Sequence, residues 1–152
     1  MKNILRFTFI LSVTILMQFC TAQPATEVAD QETILDAYWM LISLEGQNVP
    51  APKDSRMAYI RLQENEDDIF GFAGCNKFTG KYKLTEDALQ LSELSTTRMS
   101  CTNMDTENKL MEALRSTTSY KKSGRVLTLY AGDKAVATFR SGNPNEVGVD
   151  VR

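Results

Sequence analysis

Apolar and polar residues alternate with period two through much of the middle of the chain, the spacing of half-buried strands. In residues 57–62, Ala58, Ile60 and Leu62 share one face and Tyr59 and Arg61 the other. Residues 78–84 divide the same way, with Phe78, Gly80, Tyr82 and Leu84 opposed to Thr79, Lys81 and Lys83. Between them lies the apolar, aromatic run 69–73, linked backwards by Glu64-Asn65-Glu66-Asp67-Asp68 and forwards by Gly74-Cys75-Asn76. Two consecutive hairpins follow from that order. Upstream, the apolar residues 38–44 predict a first strand, with Trp39 the largest single burial. Gly46, Asn48, Pro50 and Pro52 punctuate the turn after it. Downstream, Glu86-Asp87 turns the chain, Leu89 and Leu91 continue the sheet, and residues 94–99 form one more short segment.

Residues 102–115 switch to helical spacing. Leu110 and Leu114 lie four apart, with Met104 and Met111 on adjoining rows. Thr102 or Asn103 is expected to cap this helix, while Asp105 and Glu107 in the early turns complement its dipole. Further short strands follow around Tyr120, across 126–130 and across 135–139, separated by the turns Ser123-Gly124 and Gly132-Asp133. Gly71, Gly74 and Gly80 fall within ten residues, marking places where a side chain would collide or φ must be positive.

The run Gly71-x-x-Gly74-Cys75-Asn76-x-Phe78-x-Gly80-x-Tyr82, then Thr97-x-Met99-x-Cys101 before the helix, resembles the META domain, or HslJ-like family. The likeness begins at Trp39-Met40-Leu41 with Gly46 and Val49, and continues through Glu107, Leu110, Ala113 and Leu114. It ends at Leu127-Thr128-Leu129 and Phe139. Family members often carry proline after the second cysteine, where this chain has Thr102. The resemblance implies an α+β fold: a strongly curved, near-closed antiparallel sheet, like an open barrel, with one packed α-helix. It also implies an envelope or secreted protein linked to heat shock, antibiotic tolerance or virulence, and no established catalytic activity.

The chain ends set the compartment. Residues 1–22 read as an export signal, with Lys2 and Arg6 ahead of a 13-residue apolar stretch, 7–19. A membrane span needs about 20 residues, so this stretch is too short to be one. Two processing routes stand open: cleavage before Gln23 at Cys20-Thr21-Ala22, or lipidation of Cys20, whose neighbours Gln18 and Phe19 fit a lipobox poorly. A flexible leader, 23–33, then precedes a single domain, 34–140, and a loose tail, 141–152. Either route leaves Cys75 and Cys101 in an oxidising compartment, as a disulfide or as two buried thiols. Losing the signal removes two of 17 basic residues and none of 19 acidic ones, so the mature formal charge is −4. That balance argues against nucleic-acid binding, which depends on clustered cations.

Candidate chemistry is sparse. The chain has no histidine, which removes imidazole bases and His-containing triads and, with only Cys75 and Cys101 left, ordinary zinc sites. Gly74 to Gly80 lacks the Lys-Ser/Thr of a phosphate loop, and the acids 64–68 lack EF-hand spacing. Asn76 fits a local backbone-bonding role better than ligand contact, and Phe70, Phe72, Phe78 and Tyr82 fit a core. Cys75 lacks a base to make it a nucleophile. The expected role is therefore a non-enzymatic, stress-associated envelope protein, without cofactor or metal, that binds a protein or small molecule. It is expected to be monomeric and to touch membrane only if Cys20 is lipidated. Two alternatives remain: a hydrolase or thiol enzyme with a cleft beside Cys75 and Cys101, or an envelope assembly factor.

Overall fold

The computed structural model describes residues 33–52, 56–102 and 104–143. The expected export signal, Cys20 and the leader to residue 32 lie outside these residues, as does the tail from residue 144. The described chain forms nine strands and one helix in one antiparallel sheet. The strands are β1 (Tyr38–Leu44), β2 (Gln47–Asn48), β3 (Tyr59–Leu62), β4 (Asp68–Phe72), β5 (Lys77–Leu84), β6 (Leu89–Thr96), β7 (Ser119–Ser123), β8 (Val126–Ala131) and β9 (Lys134–Gly142). The helix, α1 (Asp105–Ser116), connects β6 to β7.

The spatial order is β6-β5-β4-β3-β1-β9-β8-β7, with β2 folded back on β1. Most links are short hairpins, as the alternation and turn residues predict. Glu45 and Gly46 join β1 to β2 with both φ values positive, 49° and 80°, as a tight two-residue hairpin requires. The sheet curls into a half-barrel whose end strands nearly meet. Leu89 N–H donates to Thr118 O at 3.2 Å and Tyr120 N–H to Asp87 O at 3.4 Å, bringing β6 against β7 at one end. Helix α1 lies on the concave side, where Leu110, Met111, Ala113 and Leu114 join one core with Trp39, Ile60, Phe78 and Phe139. Trp39 is buried there, and its indole N–H donates to Ile34 O at 2.8 Å. Among the described residues no helix is long and apolar enough to cross a membrane.

Several boundaries differ from the sequence-based expectation. The helix starts at Asp105 with Met104 at its N-cap position and no side-chain cap bond, so Thr102 does not cap it and Asn103 lies outside the described residues. Residues 89–96 form one strand rather than two segments. A bulge lets it continue: Thr79 and Lys81 pair with Ser95 and Ser92, and Glu93 takes φ 54° in the extra residue. Strand β9 reaches Gly142, two residues into the expected tail, because Ser141 and Gly142 pair with Trp39 and Tyr38. Phe70 and Phe72 do not join the main core. They flank a second cluster, with Tyr38, Met40 and Tyr59, built from the alternate residues of β1, β3 and β4. The opposite residues of β4, Ile69 and Gly71, face inward with Ala73 just beyond it, and all three are buried.

Candidate functional site

The motif residues converge where the β4–β5 connection meets the segment between β6 and α1. Gly74 has φ 115°, a conformation that turns the chain tightly and that side chains disfavour. Ala73 N–H donates to Asn76 O at 2.8 Å across that turn. The turn buries Asn76 at 1% exposure, so its polar atoms need partners inside the protein.

All of them are found. The Asn76 backbone N–H donates to Glu107 Oε2 at 2.7 Å. Its side-chain amide donates to Glu107 Oε1 at 3.0 Å and to Met99 O at 3.2 Å. Its Oδ1 accepts from Met99 N–H at 2.7 Å and from Thr97 Oγ1 at 2.8 Å. The asparagine side chain thus pairs with the Met99 peptide as a neighbouring strand would. Glu107 is itself buried, its carboxylate held by two Asn76 donors in the first turn of α1, where the helix dipole also favours negative charge. Thr97 N–H donates to Lys77 O at 3.0 Å, adding a further tie.

A covalent link closes the arrangement. Cys75 and Cys101 form a disulfide with Cα atoms 6.1 Å apart, inside the usual range. The alternative of two buried free thiols is therefore set aside. Cys75 is buried and Cys101 exposed. Residues 97–101, in neither helix nor strand, are fastened at both ends, while Arg98, Met99 and Ser100 face solvent. Met99 is 63% exposed, the most exposed large apolar side chain among the described residues.

The other motif residues serve packing. Phe78 and Tyr82 point into the core, and the Tyr82 hydroxyl donates to Gln63 O at 2.6 Å. Burial raises the Tyr82 pKa, with the acids of the β3–β4 turn adding to it, Asp67 foremost. Gly71 lies under the Tyr59 carbonyl and the Phe78 ring, and Gly80 under Leu94 and Ser92 O at the bulge, so both positions lack room for a side chain. The sequence reading placed Glu107 in the early turns of the helix, complementing its dipole, but missed its bonds to Asn76. A glutamate in the first turn of a helix carries no local mark of burial; its partner Asn76 lies 31 positions away.

A groove of about 380 Å³ lies on the outer face of β4, β5 and β6, lined by Gln63, Asp68, Phe70, Thr79, Lys81 and Glu93. Asp68 and Lys81 pair across it. Charge there is mixed, with Thr79, Lys81 and Glu93 exposed and Gln63, Asp68 and Phe70 half-buried.

A single-helix α+β half-barrel, with a disulfide and a buried Asn–Glu pair locking the segment ahead of the helix, defines the class of protein. The family model of the META domain matches residues 32–143, and the chain belongs to that family. A protein solved by NMR is 27% identical, with a TM-score of 0.54 over 68% of this chain and 87% of that one. A second NMR structure, of a protein from Burkholderia xenovorans, is 22% identical, with a TM-score of 0.59 over 72% and 84%. A crystal structure of a DUF4847 family protein from Bacteroides vulgatus shares the fold at 14% identity, TM-score 0.51, over 72% and 94%. No curated protein matches the chain.

Proposed function

We propose that this META-domain protein is an exported, non-catalytic binding module that works in the cell envelope under stress. The observation that carries the reading is how the motif spends its polar groups. Asn76, Glu107 and both sulfurs are consumed in bonds within the protein, and what they hold out to solvent is the fixed segment 98–100. A catalyst keeps its reactive groups free at the surface of a cleft, whereas a recognition element gains from a backbone held in its bound shape. A disulfide also suits the oxidising compartment to which the predicted signal directs the chain.

Site-specific photo-crosslinking from position 99 in intact cells tests this reading. A discrete adduct from position 99, absent from a control position such as Thr128, supports recognition by this segment. No adduct, or the same ladder from both positions, contradicts it. Iodoacetamide labelling of the native protein without reductant gives the complementary result. An unreactive cysteine pair fits a binding module, and a labelled thiol restores the thiol-enzyme alternative.

A further inference from the structure

We propose that Met99 is the site at which this domain is modified by peroxides, and that the fold is unaffected when it reacts. The inference stands independently of the binding role. Thioether oxidation follows solvent access to sulfur, because the oxidant must reach the sulfur lone pair. The described methionines differ widely in this respect. Met40 is 0% and Met111 3% exposed, Met57 and Met104 are intermediate, and Met99 is 63% exposed. If reactivity follows exposed area, Met99 reacts about twentyfold faster than Met111.

The chemistry needs only a hydroperoxide. The Met99 sulfur attacks one peroxide oxygen, forming an S–O bond as the O–O bond breaks. With hydrogen peroxide the second oxygen leaves as hydroxide, which takes the remaining proton to become water. Sulfur is oxidised by two electrons and the peroxide is reduced by two.

The structure also separates this reaction from unfolding. Sulfoxide is polar, and forming it in a core breaks packing, as it would at Met40. At position 99 the side chain faces water, while the backbone is held through Asn76 and the adjacent disulfide. The apolar tip becomes polar without moving its anchor, and sulfoxide reductases can reverse the change.

Limiting hydrogen peroxide on the oxidised mature protein, followed by reduction, alkylation, trypsin and tandem mass spectrometry, tests the assignment. Met99 and Met104 share the tryptic peptide 99–109, so fragment ions must place the added mass of about 16 Da. The expected result is Met99 first, loss of that fast phase in Met99→Leu, and an unchanged Tm after one oxidation. Equal or faster oxidation of Met57 or Met104 would overturn the assignment. A fall in Tm on oxidation of Met99 alone would overturn the separation from folding.

Discussion

Replacing Asn76 with alanine removes four side-chain hydrogen bonds from a residue that is 1% exposed. The bond to Glu107 is charge-assisted, a class worth about 1.5–3 kcal/mol, and losing it leaves Oε1 of a buried carboxylate without that donor. Of the other three, the bonds to Thr97 and Met99 lie near solvent, where water can replace part of each, so about 0.5–1 kcal/mol apiece is a fair measure. The total is about 3–6 kcal/mol. With a urea m-value of about 1.5 kcal/mol/M, the midpoint should fall by roughly 2–4 M. Glu107→Ala strands the same interaction from the other side, leaving the Asn76 N–H and one amide hydrogen buried. The double variant removes both halves, so its cost should be less than the sum by about 1–3 kcal/mol. Urea unfolding of the mature domain under oxidising conditions, with Trp39 fluorescence as the probe, measures all four proteins. A cost below about 1 kcal/mol for Asn76→Ala, or strictly additive single variants, would refute the reasoning.

Replacing Cys75 and Cys101 together with alanine opens a loop of about 27 residues and should cost about 3–4 kcal/mol, read as a lower urea midpoint; no change would deny the bridge a stabilising role. Gly71→Ala drives a methyl into the Tyr59 carbonyl, well inside contact distance, so it should destabilise more than Gly80→Ala, where the Ser92 carbonyl is 2.8 Å away and Leu94 can yield; thermal melts rank them. Burial holds the Tyr59, Tyr82 and Tyr120 hydroxyls above the ordinary value of 10.0 in the folded state. Below pH 10 both folded and unfolded forms keep these protons. Above it the unfolded chain loses them first, so stability should decline as pH rises through the raised folded values, with delayed tyrosinate absorbance. Intact mass of the exported protein should show loss of residues 1–22, or a lipid on Cys20, together with two fewer hydrogens from oxidation.

Much of the half-barrel was legible because alternation is local. Ile60, Leu62, Phe78 and Tyr82 reveal the inner face through their own spacing, and Gly124 and Gly132 mark turns that form at φ 53° and 58°. The misreadings arise where distant groups decide. At β6 the Glu93 bulge interrupts the period, and only pairing with β5 shows that one strand passes through it. The helix starts at Asp105 without a side-chain cap, and the bond in its first turn runs from Glu107 to Asn76, 31 positions away, which the capping preference of Thr102 does not reveal. Phe70 and Phe72 read as core because an aromatic run hides which face each ring takes. Register with β3 places them beside Arg61 and Tyr59 on the outer side. Asn76 and the cysteine pair could be singled out from sequence, but the exposure of Met99 could not, since an apolar residue in a motif reads first as packing.

Amide hydrogen exchange at Asn76 and Met99 tests most directly whether the segment before the helix is held as described. Neither amide belongs to a helix or strand; one is bound by the Glu107 carboxylate and the other by the Asn76 side chain. In the oxidised mature domain both should exchange as slowly as the core strands, through global unfolding alone. Exchange at the rate of an open loop would mean that the asparagine–glutamate pair does not hold this segment.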